Sequence, residues 1–216
     1  MSTPPQRGAV RVKICGLTSR EDAETAVELG ADALGFNLFP GSKRFISLEE
    51  HAGWMRELPP FVTRVAVLVN ASLEEARRIA QHPAIDMVQL HGDEDPAYCA
   101  ELARLDRPFI KALRLDGPEA LAKARDFSTP HLLLDAHVPG AFGGTGHVID
   151  LPLAAECAAR HPEATIILAG GLTPENVRDA VSVVRPFAVD VASGVEESAR
   201  QKSAERMRAF IEAARG

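Results

Sequence analysis

Two side chains that can transfer protons stand directly after apolar stretches of the chain. Cys15 follows Val12-Lys13-Ile14, and Asp135 follows Leu132-Leu133-Leu134. A thiol, with an ordinary pKa of about 8.5, can act as a base once its surroundings activate it. A carboxylate so close to a core needs a hydrogen-bond partner or a function. Cys15 is therefore a candidate base and Asp135 a candidate acid. The structural alternatives are that Cys15 is only a small buried side chain and that Asp135 only caps the backbone of its loop.

An arginine and three histidines are the next candidates. Arg44 lies in a polar segment, where its planar guanidinium could grip a carboxylate or simply remain solvated. His91 follows another apolar run and could contact a ligand or stabilise its loop. His137 and His147 form no convincing site, and no second His or Cys stands at ligand spacing, so the sequence predicts no metal centre.

Glycines suggest a phosphate site. Gly170 and Gly171 precede Thr173-Pro174-Glu175, which has the composition of a helix start, and Ser193-Gly194 form a second small-residue turn. Glycines let backbone N–H groups approach an anion closely, although the same residues could merely make tight turns. The net charge of −6 requires that an anionic ligand be held by such a local site.

Eight apolar or β-branched runs alternate with stretches of helical period, the pattern of repeated βα units around a parallel sheet. Cap residues precede several of the helical stretches, and Gly30 ends the first. The predicted caps are Thr18 or Ser19, Ser47, Ser72 and Thr173. The predicted strands are Val10–Cys15, Ala33–Asn37, Thr63–Val69, Met87–Leu90, Phe109–Leu113, His131–Asp135, Thr165–Ala169 and Phe187–Val191.

Eight such units in 216 residues favour a single (β/α)8 TIM barrel that spans residues 1–216. The tail Lys202–Arg215 is interpreted as the last barrel helix, with Ala204, Met207, Phe210, Ile211 and Ala214 on its packed face. In such barrels the active site lies at the carboxyl ends of the strands. Strands one and six are three steps apart around the ring, so Cys15 and Asp135 are expected to face each other across the mouth.

Composition excludes several classes of function. Thirty acidic against 24 basic residues disfavour nucleic acid and anionic lipid as partners. No apolar run is long enough for a membrane span, and Met1–Gly8 lacks the apolar core of a signal peptide, so a cytoplasmic protein is expected. Cys99 and Cys157 lie in predicted helices and are interpreted as structural.

Ordered motifs along nearly the whole chain resemble the phosphoribosylanthranilate isomerase family. Each motif is weak alone, and their shared order makes the resemblance specific. The motifs are Val12–Thr18 (VKICGLT), Gly30–Phe36 (GADALGF), Pro40–Ser47 (PGSKRFIS), Val88–Gly92 (VQLHG), Leu133–Asp135 (LLD) with Gly143–Gly146 (GGTG), Leu168–Leu172 (LAGGL) and Ala188–Glu196 (AVDVASGVE).

The resemblance implies an Amadori rearrangement of N-(5-phosphoribosyl)anthranilate in tryptophan biosynthesis, without metal or cofactor, by a monomer or homodimer. It implies that Asp135 is the general acid and Cys15 the general base. It also implies the remaining roles, which fall on several positions. These are anthranilate binding by Arg44, a substrate-contacting or supporting position for Asp190, and phosphate binding by Gly170, Gly171, Ser193 and Gly194. His91, from its place after the fourth strand, is also predicted to bind the substrate.

One segment departs from the family pattern. After Glu196 the family commonly continues with a Pro-Gly-Lys-Lys-Asp-like stretch, whereas this chain has Glu197–Lys202 (ESARQK), and Ala192 stands where serine is frequent. These differences concern phosphate affinity more than the acid and the base.

Three alternatives remain at this stage. A histidine-pathway isomerase would have an aspartate at the end of strand one, where this chain has Cys15. An indole-glycerol-phosphate synthase would need a catalytic lysine among the strand ends, and none is clear. A phosphoribosyl-binding barrel without activity is the third alternative.

Overall fold

The eight apolar runs form eight parallel strands that close into a ring, each strand pairing with its neighbours in chain order and the first with the eighth. The computed structural model describes residues 9–115, 117–136 and 148–216. The motif Gly143–Gly146 and the residues His137 and His147 lie outside them. The strands are β1 Arg11–Cys15, β2 Ala33–Asn37, β3 Thr63–Leu68, β4 Met87–Leu90, β5 Phe109–Leu115, β6 His131–Ala136, β7 Thr165–Leu168 and β8 Ala188–Val191.

A helix follows each strand, so the predicted (β/α)8 barrel is confirmed. Serine side chains at 19, 47 and 72 accept hydrogen bonds from the first turns of their helices, as predicted. The helices are α1 Arg20–Glu28, α2 Leu48–Met55, α3 Leu73–Ala80, α4 Pro96–Ala103, α5 Pro118–Lys123, α6 Leu151–Arg160, α7 Val177–Val184 and α8 Ala204–Arg215.

Alternation along the strands separates two cores. Residues that face the helices, such as Phe36 and Leu134, belong to the larger cluster between sheet and helices. Residues that face the barrel axis, such as Val65, Ala112 and Leu133, form a smaller cluster inside the ring. Towards the carboxyl ends of the strands the inward-facing residues become polar, and this change marks the mouth.

Two predictions about helix starts were wrong. Helix α7 begins at Val177 and not at Thr173, because the side chain of Asn176 accepts from the Thr173 N–H at 2.8 Å and donates to the Gly171 carbonyl at 3.0 Å. These bonds stabilise a turn ahead of the helix. Helix α8 begins at Ala204, which is exposed rather than packed, and its cap is Ser203.

The segment before α8 is a small hairpin. Strand β9, Glu196–Ser198, pairs antiparallel with β10, Gln201–Lys202. Lys202 therefore lies outside the predicted last helix, and Arg200 adopts a left-handed backbone with φ 75° in the hairpin turn.

Within the described ranges, no helix has both the length and the apolar character needed to cross a membrane. In the same part of the chain, no three His, Cys, Asp or Glu side chains are placed to hold a metal ion together.

Candidate active site

The first polar cluster at the mouth contains Cys15, Lys13 and Asp190. Lys13 on β1 pairs in register with Asp190 on β8, and Nζ of Lys13 donates to Oδ1 of Asp190 at 2.7 Å in a buried ion pair. Gly35 on β2 is the register partner of Cys15. A Cβ at Gly35 would lie 2.6 Å from Sγ of Cys15 and 3.0 Å from Nζ of Lys13, so the thiol and the ammonium occupy space that only glycine leaves free.

Burial and charge act in opposite directions on this cluster. Burial and the charge of Asp190 raise the pKa of the Cys15 thiol, and the nearby Lys13 and Lys202 ammonium groups only partly offset them. Burial alone would lower the pKa of Lys13, but Asp190 and Cys15 outweigh it, so that pKa lies above its ordinary value. The surroundings therefore favour the protonated form of both Cys15 and Lys13.

The second cluster contains Asp135, His91 and Gln89, all buried. Nε2 of His91 lies 3.0 Å from Oδ2 of Asp135, and the side-chain nitrogen of Gln89 lies 2.8 Å from Nδ1 of His91. With the Gln89 amide in this orientation, Nδ1 of His91 accepts and Nε2 carries the proton directed at Asp135, while the buried Oε1 of Gln89 has no partner among the described residues. The backbone N–H of Ala136 donates to Oδ1 of Asp135 at 2.8 Å. These contacts fix the carboxylate at the end of β6.

Arg44 lies over the end of β1, in the loop after β2. Its Nε and Nη2 each donate to Glu196 at 2.6 Å. Gly16 has φ 73°, and a Cβ there would lie 2.3 Å from Cδ of Arg44, so the absent side chain gives Arg44 its place. Burial would raise the pKa of Glu196, but the bonds from Arg44 and the charge of Lys202 outweigh it and lower that pKa. Arg44 is thus not the solvated cation that the sequence left open.

Glu196 and Lys202 are candidate site residues that the sequence did not single out. Lys202 is buried, and its Nζ donates to the Ala192 carbonyl at 2.9 Å and to Glu196 at 3.1 Å. Glu196 ends a motif that carries the family resemblance, which was the available signal. The burial of both residues depends on the hairpin, which the sequence did not predict.

The glycine loops after β7 and β8 are in contact with each other. A Cβ at Gly194 would lie 2.0 Å from the Leu172 carbonyl oxygen. Gly170 and Gly171 both have positive φ, 86° and 65°, and Ser193 begins a single 3₁₀ turn. A Cβ at Gly170 would lie 3.1 Å from Oδ1 of Asp135. The four residues predicted for phosphate therefore lie in adjoining loops, and Gly170 lies beside the second cluster.

The two clusters lie on strands that are three steps apart by way of β8 and β7, as predicted. Cys99 and Cys157 are fully buried on α4 and α6, away from both clusters, which agrees with a structural role. The mouth thus presents a thiol with an ammonium on one side and a carboxylate with an imidazole on the other.

Comparison with known proteins identifies the family. The model of the N-(5'-phosphoribosyl)anthranilate (PRA) isomerase family matches residues 12–213. The chain belongs to this family. A PRA isomerase from Geobacter sp. (strain M21) is 50% identical over 201 residues, which are 93% of this chain and 96% of the relative.

Solved PRA isomerases have the same barrel. The Thermotoga maritima enzyme is 42% identical with a TM-score of 0.85, covering 95% of this chain and 98% of its own. A PRA isomerase solved in complex with reduced 1-(o-carboxyphenylamino)-1-deoxyribulose 5-phosphate is 41% identical with a TM-score of 0.83, with the same coverage. The chain is an isomerase of tryptophan biosynthesis.

Proposed function

We propose that this chain converts PRA to 1-(2-carboxyphenylamino)-1-deoxyribulose 5-phosphate by an Amadori rearrangement, with Asp135 as general acid and Cys15 as general base. The observation that supports this most strongly is the separation of the two clusters across the mouth. A substrate bound between them would meet a proton donor at one atom and a proton acceptor at another.

The first step opens the ribose ring. Protonated Asp135 gives its proton to the ring oxygen, the C1–O bond breaks with its electron pair on that oxygen, and the nitrogen lone pair forms a Schiff base with C1. His91 and the Ala136 N–H hold the carboxylate while it loses the proton. Fixed donors of this kind need no reorganisation during the reaction.

The second step moves a proton from carbon. Cys15, as the thiolate, removes the proton from C2. The C2–H electron pair forms the C1–C2 double bond of an enolamine while the π electrons of the C1=N bond return to the nitrogen. C1 then gains a proton and the C2 hydroxyl loses one, which gives the ketone. Lys13 stabilises the thiolate, because its charge lowers the pKa of Cys15 against the effect of burial.

Binding roles are proposed for residues around the two clusters. Arg44 holds the anthranilate carboxylate, and His91 and Asp190 contact the substrate beside the acid and the base. The phosphate lies in the adjoining loops, against backbone at Gly170, Gly171, Ser193 and Gly194. Backbone dipoles suit this task in a chain with a net charge of −6.

We propose the following for the chain as a whole. Residues 1–216 form one catalytic domain that acts in the cytoplasm on a small phosphorylated aminosugar, without nucleic acid, membrane, metal or cofactor. The chain is a monomer or a homodimer.

A relative from Thermotoga maritima is described as dimeric. Phe61 of this chain is 99% exposed, so it could lie in a contact between two copies. A Phe61→Ser variant that sediments more slowly than the wild type would indicate the dimer.

The direct test is the loss of PRA fluorescence with purified, chelator-treated protein. Turnover that survives the chelator and yields the carboxyphenylamino ketone supports substrate, reaction and metal independence together. A folded protein that does not turn over PRA contradicts the proposal and favours an isomerase of a related aminoaldose.

A further inference from the structure

Glu196 binds only one edge of the Arg44 guanidinium. The two bonds engage Nε and Nη2, so Nη1 and the outer N–H of Nη2 form an edge that Glu196 does not use. The side chains of Arg44 and Glu196 are 14% and 6% exposed, so the geometry is held by the surroundings. A planar guanidinium fixed on one edge can bind a second carboxylate with the other.

The charges of this cluster do not cancel. Arg44 and Lys202 are the cations, and Glu196 is the carboxylate between them. The Lys202 side chain has no exposed surface, and burial lowers its pKa against the opposing effect of Glu196. Asp22 accepts from the Lys202 backbone N–H at 3.1 Å, and the positive end of α1, in whose first turn it lies, offsets part of its charge. The neighbouring Cys15 adds a negative charge only as the thiolate that acts in the second step. While Cys15 is a thiol, the side chains of Arg44, Lys202 and Glu196 sum to one positive charge, which a substrate carboxylate would neutralise.

The hairpin is attached to the loop that carries Arg44. Nη1 of Arg200 donates to the carbonyls of Lys43 at 3.2 Å and Phe45 at 3.1 Å. The hydroxyl of Thr18 donates to the Arg200 carbonyl at 2.9 Å. The loops after β1, β2 and β8 are thereby joined around Arg44.

We propose that Glu196 is a positioning residue: together with Lys202 it fixes Arg44 and leaves one unbalanced positive charge, so that the site selects an aglycone bearing a carboxylate. The inference rests on the proposed function, because it takes the anthranilate carboxylate as the partner of Arg44. Neither Glu196 nor Lys202 touches the reacting atoms in this account.

The test compares PRA with its aniline counterpart, which lacks the carboxylate. Glu196→Gln increases the excess positive charge but leaves Arg44 without its anchor, and the loss of the anchor is expected to dominate. Lys202→Met leaves Glu196 to compete for Arg44. Each change is expected to raise KM for PRA by about 10- to 100-fold, with kcat of Glu196→Gln within about threefold of wild type. Because Lys202 also lowers the pKa of Cys15, kcat of Lys202→Met is compared at alkaline pH. KM for the aniline compound should not change. The matched control is Glu197→Gln, an exposed carboxylate on the same strand.

The double variant Glu196→Gln/Lys202→Met separates charge from structure. It again carries one excess positive charge, so its KM for PRA should be lower than that of Lys202→Met alone. A purely structural role makes the double variant worse than either single change.

Equal losses with both substrates, or a Glu196→Gln variant that behaves like Glu197→Gln, overturn the inference. Circular dichroism shows whether Lys202→Met folds. If it does not, Lys202→Arg takes its place and should keep the wild-type preference for PRA over the aniline compound. The KM of Glu196→Gln for the two substrates then tests the inference. A wild-type protein with no turnover of PRA contradicts the proposed function instead, which distinguishes the two failures.

Discussion

Nε2 of His91 lies 3.0 Å from Oδ2 of Asp135, and Gln89 bonds the opposite ring nitrogen at 2.8 Å. The two contacts hold the ring in place, and with the Gln89 nitrogen at Nδ1 they direct the Nε2 proton at Asp135. Because this contact orients the proposed acid, His91→Ala is expected to lower kcat by about 10- to 100-fold, and the lost substrate contact is expected to raise KM by a smaller factor. Steady-state kinetics check this, with His82→Gln at the opposite end of the barrel as control. A raised KM with normal kcat would assign His91 to binding alone.

The proposed acid and base make the strongest prediction. Asp135→Asn and Cys15→Ala should each lower turnover by roughly two to four orders of magnitude, the usual scale of general acid–base contributions, with the fold intact. Turnover of PRA by the purified variants measures this, and Cys157→Ala, which removes a buried thiol far from the mouth, should retain activity. Near-normal turnover in either variant would end the corresponding assignment.

The pH dependence follows from the direction of the Cys15 pKa. Burial and Asp190 raise that pKa, so the active thiolate is scarce at neutral pH, and the base-dependent rate should rise as the pH increases into the alkaline range. Lys13→Met removes a charge that lowers the thiol pKa. It is therefore expected to shift the rise of kcat to still higher pH and to reduce neutral turnover by at least about tenfold.

The measurement is kcat against pH for wild type, Lys13→Met and the exposed control Lys123→Met. An unchanged profile in Lys13→Met would show that the thiol does not limit the reaction or that Lys13 does not act on it.

A buried ion pair outside the mouth supports the loop after β4. Nζ of Lys111 donates to Glu94 at 2.7 Å and to the Gly92 carbonyl at 2.9 Å, and Glu94 also accepts from the Asn70 N–H at 2.8 Å. Lys111→Met leaves the Glu94 charge buried and unpaired, so we expect a loss of about 3–5 kcal/mol in the free energy of unfolding. Urea denaturation measures it, and a loss below that of Lys123→Met would show that the pair does not stabilise the fold.

The strands and the proposed acid and base could be predicted because their signals are local. An apolar run followed by Cys15 or Asp135 indicates both the strand and its end, and parallel strands bring those ends to one rim. The start of α7 could not be predicted, because the amide of Asn176 competes with the helix for backbone partners. Its choice depends on the geometry of the Gly171 loop.

The cluster of Arg44, Glu196 and Lys202 could not be predicted from the sequence, for a different reason. Lys202 looks like an ordinary surface lysine at the start of a helix, and its side chain is buried only because the hairpin folds back on the mouth. Burial of this kind comes from contacts between loops that are remote in sequence. No periodicity or composition signal reports it.

The ion pair between Lys13 and Asp190 joins residues 177 positions apart. During synthesis on the ribosome the first strand emerges long before the last, and an unpaired Lys13 ammonium inside a partial barrel would be costly to bury. The ion pair beside the Cys15 thiol is therefore complete only after β8 has paired with β1 and closed the ring. A chain cut short before Asp190 would lack both the strand pairing that closes the barrel and the carboxylate that pairs with Lys13 beside the thiol.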